Sequence, residues 1–311
     1  MKSLKNLALV AMTSLVLASC GTTQKVPLTG RSHRISVSDE QILSLSNQEY
    51  TKYMQTAKKS TNAANTAMVQ RVGKRLATAV ENYLKTHGLS SEVKEYGWEF
   101  NLVQDKSANA FCLPGGKIVV YEGLLPYTQN EAALAVVLGH EIAHAVAKHS
   151  AEQLSKQIKQ QYGTKILSGV LNAATGSNVG SYAAVLAQQG LKLRNLKYSR
   201  DHESEADHMG LIFAAMAGYD PQVAIPFWQR MSNGNSNQSD FLSDHPSDAK
   251  RIAALQQEMP EALRYYQAAA KATQTTTTSR TTAVKKTTTT KKTTTKSSRS
   301  TTAKKSSARK K

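Results

Sequence analysis

His140, Glu141 and His144 are the residues in this chain whose types and spacing point most directly to chemistry. An α-helix turns about 100° per residue, so two histidines four apart lie on one face, one turn from each other. Two imidazoles so placed can share one Zn²⁺ at about 2.0–2.1 Å. Glu141 sits beside them, where it can act on a water at the metal without being a ligand itself. The stretch Ala132–His144 around them is apolar, and Thr128 with Glu131 fits the capping box S/T-x-x-E just ahead of it. Five-residue patterns recur by chance, so a third ligand must be found.

Arg200–Asp207 supplies it. Glu203 and Asp207 are four apart and share a helix face, so Glu203 can complete a His₂Glu set with an open fourth position. Asp207, one turn on, is placed to accept a hydrogen bond from the second nitrogen of a ligating His and fix its tautomer. Glu205 is the rival ligand, but it lies about 200° round the helix from Glu203. The alternative for the whole cluster is a solvated acidic face. A metzincin-type site would need Gly at 147 and His at 150, where Ala147 and Ser150 stand. His149 falls about 180° from His140 and is expected at the surface, and His202 and His208, rotated off the Glu203 face, are expected to be structural.

The elements that must position these residues sit in a chain of very uneven charge. Of 40 Lys/Arg, 13 lie in residues 271–311 and two in the first 19, leaving 25 against all 22 acids in between. The net charge of +18 therefore describes a tail and does not mark the folded part as a nucleic-acid binder. Lys2 and Lys5 precede an apolar run, Leu7 to Ala18, too short to span a membrane, which reads as a secretory signal over residues 1–19. Leu17-Ala18-Ser19-Cys20 looks like a lipobox, which implies a mature chain anchored through acyl groups on Cys20. Gly21-Thr22 after it resembles bacterial lipoproteins of the outer membrane. Cys112 is then left without an intramolecular partner.

Residues 20–37 read as a tether. A helical stretch follows Ser38, and a second runs from Asn62 to His87 with Gly88 as its stop. Trp98–Val103 and Lys117–Tyr121 read as strands, the latter after a Pro114-Gly115-Gly116 turn. The His140 helix is expected to reach about Gln153. Ser155–Asn195 reads as two small-residue helices, Asp201–Gly218 as a strong helix, and Asp220-Pro221 as the start of another. A polar loop over Ser232–Asp240 precedes a last helix interrupted or ended near Pro260. Residues 271–311 read as a solvated Thr/Lys-rich tail.

Three blocks together resemble the HtpX and CAAX-prenyl-protease family of zinc metallopeptidases, in its soluble lipoprotein branch, over about Gln24 to Leu263. They are Asn109–Gly116 leading to Glu122–Leu125, then His140–His144, and Ser199-Arg200 through Glu203–Asp207 to Gly210. The resemblance implies a mostly helical α+β, zincin-like (gluzincin) domain over residues 38–265, with a small β-sheet at the active-site cleft. In the family's ExxxD pattern the first Glu is the ligand, which matches Glu203. The strand at Gly116, Lys117 and Ile118 is implied to be the edge that binds an extended substrate. His245-Pro246, with Arg251-Ile252 after it, matches relatives in which the His approaches the zinc, so His245 is a candidate fourth ligand or switch.

These readings imply one Zn²⁺ per chain and an endopeptidase acting on envelope proteins that are misfolded or unassembled, with Glu141 as general base. The rival is a chaperone-like assembly factor of the outer membrane with latent proteolysis. The expected partners are protein substrates, the membrane through Cys20, and anionic envelope polymers along the basic tail. Nucleic acid is not expected of an exported chain. The expected location is the bacterial cell envelope, at the outer membrane facing the periplasm.

Overall fold

Two short antiparallel strands, β1 (Thr22–Lys25) and β2 (Ser32–Ile35), open the part of the chain described by the computed structural model, residues 22–157, 160, 193–233, 241, 245 and 249–292. Gly30 at φ 68° and Leu28 at φ 72° make the turn between them. The expected tether is therefore a folded hairpin. Its apolar residues explain why: Val26 packs into the main core, while Ile35 and Val37 enter a second cluster. The expected signal segment, Cys20, most of 158–192 and 234–240, and the tail beyond Lys292 lie outside the described residues.

Helix α1 (Asp39–Thr56) starts at Ser38, whose side chain accepts from Gln41 N–H while Gln41 reaches back to the Ser38 N–H. Helix α2 (Ala63–Thr86) is capped by Asn62 and buries Val72, Leu76 and Val80 at helical spacing. Three strands follow: β3 (Glu99–Val103), β4 (Ala110–Leu113) and β5 (Lys117–Tyr121), in the spatial order β3-β5-β4. β5 pairs parallel with β3 and antiparallel with β4, and Gly115 and Gly116, both at φ above 80°, close the β4–β5 hairpin. As the central strand β5 is apolar on both faces: Ile118 and Val120 enter the main core and Val119 the second.

Helix α3 (Glu131–Val146) carries His140 and His144 and is buried on every side. Its cap is Asn130, which accepts from Ala133 N–H at 2.9 Å, and not the expected Thr128. Thr128 instead ends a separate turn, Leu125–Thr128, and donates to Leu125 O, with Gln129 at φ 63° between the two helices. Nor does α3 reach Gln153. It stops at Ala147, Lys148 takes φ 53°, and a new helix, α4, runs over 149–157.

Helix α5 (Arg200–Met216), capped by Ser199, carries Glu203 and Asp207 and packs along α3. The two helices cross at paired glycines. A Cβ on Gly139 would lie 2.6 Å from Gly210 O, and one on Gly210 would lie 2.6 Å from His140 N. Gly210 follows Asp207 by three residues and Glu203 by seven, so the face that touches α3 is the face that carries both carboxylates. Asp220 caps a 3-10 turn ahead of α6 (Ala224–Asn233). The last helix, α7 (Ala249–Lys292), continues through Pro260, where an end or interruption was expected. Leu255 and Ala262, buried on either side of the proline, hold the helix across the lost hydrogen bond.

The chain divides into two units, Met1–Tyr266 and Gln267–Lys311. The first contains both apolar clusters. The described part of the second is helical to Lys292, within the stretch where an unstructured tail was expected. Among the described residues no helix is long and apolar enough to cross a membrane.

Candidate metal centre

The crossing of α3 and α5 sets two imidazoles beside a carboxylate. His140 Nε2 and His144 Nε2 are 3.0 Å apart, and the Glu203 carboxylate lies 3.4 Å from the first and 3.5 Å from the second. His245 closes the group, its Nδ1 3.1 Å from both Glu203 oxygens and 3.1 Å from His140 Nε2. All four residues are buried, and their ligand atoms lie within 4.8 Å of one another.

The proton pattern shows what this group suits. His140 Nδ1 lies 2.9 Å from Asp207 Oδ1, and a carboxylate can only accept, so the proton of His140 sits on Nδ1 and its Nε2 presents a lone pair. The Nε2 of His144 points at that same lone pair, beside an anionic Glu203. Burial alone would raise the Glu203 pKa, yet His245, His140 and His144 hold its carboxyl well below the usual range. Burial drives His144 toward its neutral form, the form that ligates. Acceptors crowded at 3.0–3.5 Å around one point fit a divalent cation, and imidazole with carboxylate suits zinc.

Glu141 is 3% exposed and stands next to this group without joining it. Its Oε2 accepts from the backbone N–H of Cys112 at 3.0 Å, and its Oε1 lies 3.5 Å from His245 Nε2. That contact identifies the sheet edge at the site. Tyr121 N–H donates to Asn109 O across the β4–β5 ladder. By alternation Ala110 and Cys112 turn their backbone groups the other way, toward α3. The expected edge at Gly116, Lys117 and Ile118 is thus corrected: β5 is the central strand, paired on both sides, and β4 is the edge at the site.

Arg251, at the start of α7, ties the assembly together. Its Nη2 donates to Asp207 Oδ1 at 2.5 Å, its Nη1 donates to His245 O at 3.1 Å, and its guanidinium lies 3.6 Å from the centre of the Trp228 ring. Burial opposes the Asp207 charge, but Arg251 and His140 keep its carboxyl below the usual range. Phe241 stacks on His245 and its N–H donates to Ala108 O, just ahead of β4.

Residues 63–259 match the family model described as Peptidase family M48. The chain belongs to peptidase family M48. Its mostly helical fold with a small sheet is that of this metallopeptidase domain, and the family is zinc-dependent, in keeping with the His/Glu group. The "Mitochondrial metalloendopeptidase OMA1" of Schizosaccharomyces pombe is 37% identical over 188 residues, 59% of this chain and 53% of that protein. The protein of the same name in Saccharomyces cerevisiae is 30% identical over 253 residues, 78% of this chain and 71% of that one. The "Beta-barrel assembly-enhancing protease" of Escherichia coli is 27% identical over 161 residues, 50% of this chain and 33% of that one. The expected family thus holds at the level of M48, with higher identities to mitochondrial endopeptidases than to the bacterial protease. The chain spans about half the length of the Schizosaccharomyces pombe protein and a third of the Escherichia coli one.

Within the M48 domain the structure brings together His140, His144, Glu203, Asp207 and His245, with Glu141 alongside. Glu205, the rival ligand, lies elsewhere, bonded to His149 and Arg31. The expectation that His149 is at the surface is overturned: it is fully buried, 2.9 Å from His144 Nδ1. His149 would lie 180° from His140 only on a continuous helix, and the left-handed Lys148 breaks it. No glycine, asparagine or proline announces that break. Tyr198, stacked on His144 at 4.1 Å, also escaped the sequence reading.

Proposed function

We propose that the chain is a zinc-dependent endopeptidase in which His140, His144 and Glu203 hold the metal and Glu141 is the general base. The observation that carries this is the convergence of four buried ligand atoms within 4.8 Å beside a second, non-ligating carboxylate, Glu141. Zinc, when bound, supplies Lewis-acid polarisation of the scissile carbonyl and lowers the pKa of a water to near 7. Glu141 takes a proton from the attacking water and passes it to the leaving amine. Cys112 N–H fixes the carboxylate that does so. Asp207, itself held by Arg251, keeps the His140 tautomer with Nε2 as donor atom. With the Cys112 N–H on Glu141 and the Ala110 N–H on Asn109, the outward carbonyls of Ala110 and Cys112 are placed to accept from an extended peptide. The testing experiment is metal content and casein cleavage on one preparation: about one zinc per chain is expected, with cleavage lost on chelation and restored by zinc. A folded protein that binds no zinc refutes the reading.

His245 lies between Glu141 and Glu203, where a scissile carbonyl has to enter, so the site rests closed and His245 moves away for substrate. Arg251 on its carbonyl and Phe241 against the start of β4 hold it there. His245→Ala is expected to keep zinc and to raise basal casein cleavage roughly tenfold, the gain from removing about 1.4 kcal/mol of self-occlusion. Unchanged basal proteolysis together with unchanged zinc geometry removes the switch.

The substrates are proteins, and the proposed ones are misfolded or unassembled proteins of the bacterial envelope. This rests on the signal-like residues 1–19 and the lipobox at Cys20, which would anchor the chain at the outer membrane facing the periplasm. The basic tail would bind anionic envelope polymers. A second reading, an assembly factor with latent proteolysis, is favoured by the occluding His245 and by the name of the Escherichia coli relative. A Glu141→Gln chain that still fulfils the cellular role selects this second reading.

A further inference from the structure

The far side of His144 leads away from the ligand group into a second run of buried polar residues. His144 Nδ1 lies 2.9 Å from His149 Nδ1, and His149 Nε2 lies 3.0 Å from Glu205 Oε2. Glu205 accepts in turn from Arg31 Nε at 2.7 Å and from the Thr29 hydroxyl at 2.5 Å, both in or beside the turn of the N-terminal hairpin. We propose that His149 is a positioning residue for His144, held by Glu205 and through it by Arg31 and Thr29, so that the hairpin is a structural part of the metal centre. This rests on the reading of His144 as a ligand.

The protons can run only one way along this chain. When His144 Nε2 gives its lone pair to a metal, its proton sits on Nδ1 and is donated to His149 Nδ1. His149 then carries its own proton on Nε2 and donates it to Glu205, a pure acceptor. Arg31 and Thr29 supply the donors that keep Glu205 in place. From its Nδ1 His140 reaches a carboxylate directly, Asp207, whereas His144 reaches one from its Nδ1 through a second imidazole. Packing fixes that imidazole: His149 stacks on His202 at 4.4 Å and stands edge-on to His144 at 4.9 Å. The bend that delivers it is braced as well. Lys148 at φ 53° sends its ammonium to Asp39, Glu92 and Glu95 at 3.0, 3.0 and 3.2 Å.

The test is zinc affinity of the full chain by chelator competition, with the visible spectrum of the Co²⁺-substituted protein as a second readout. His149→Leu fills the space without an acceptor and is expected to weaken zinc roughly 10–100-fold and to shift the cobalt bands. His149→Asn can set Oδ1 where Nδ1 stood and is expected to recover most of the affinity. Arg31→Ala, further out, is expected to cost roughly threefold, below the range for a direct partner. A purely structural role would instead lower the melting temperature of the metal-free protein and leave the affinity and cobalt bands of its folded fraction unmoved. Wild-type affinity and bands in His149→Leu, or in Arg31→Ala should the former not fold, overturn the proposal. If His144→Ala itself keeps wild-type affinity, the ligand assignment fails first and takes this proposal with it.

Discussion

Glu141→Gln is expected to yield a folded, zinc-loaded protein that cleaves casein roughly 10²–10⁴ times more slowly than the wild type, the usual worth of a positioned general base. The substitution is nearly isosteric, and a glutamine oxygen can still accept from Cys112 N–H at the 3.0 Å contact that Glu141 makes. What it cannot do is take a proton. Because Glu141 is not among the four residues whose ligand atoms converge, zinc content should stay at the wild-type value. The pairing of intact metal with lost turnover separates this role from a structural one. Undiminished casein cleavage by the zinc-loaded variant would remove Glu141 as the base.

Glu203→Ala is expected to abolish both metal and activity. Glu203 is the only carboxylate in the convergent group, and it touches all three imidazoles. Apparent zinc binding of roughly 10–16 kcal/mol shared among three protein ligands makes each worth on the order of 3–5 kcal/mol, or at least about 100-fold in affinity. The loss should exceed that, because a buried dication would be left without the one carboxylate in the group that offsets its charge. Zinc content after exhaustive dialysis reads the result. Full stoichiometry in the folded variant would mean that the third ligand lies elsewhere.

The centre was legible because its residues obey local periodicity. His140 and His144 share one helical face and Glu203 and Asp207 another, and spacing of four survives folding whenever the helix is continuous. The long helix α2 was legible for the same reason, from Val72, Leu76 and Val80 to its Gly88 stop. What escaped depends on contacts across the chain. His149 was misplaced because a lysine, braced by three acids from two other segments, adopts a left-handed turn. Strand β4 is four residues long, too short for alternation to stand out, and the edge passed to it because β3 claims the other side of β5. The hairpin at 22–35 looked like a polar tether since its partners, Glu152 and Glu205, lie more than a hundred residues away. Arg251 could be seen in the sequence, but its grip on Asp207 and on the His245 carbonyl could not.

The glycine pair at the α3–α5 crossing works as a caliper. The ligands come from both helices, so the interaxial distance is also the span across the metal. A methyl group at Gly210 would sit 2.6 Å from His140 N, against 3.4–4 Å for ordinary contact, and would part the helices by roughly an ångström. Metal–ligand bonds tolerate about 0.2 Å. One added carbon atom at this crossing is therefore enough to detune the coordination sphere.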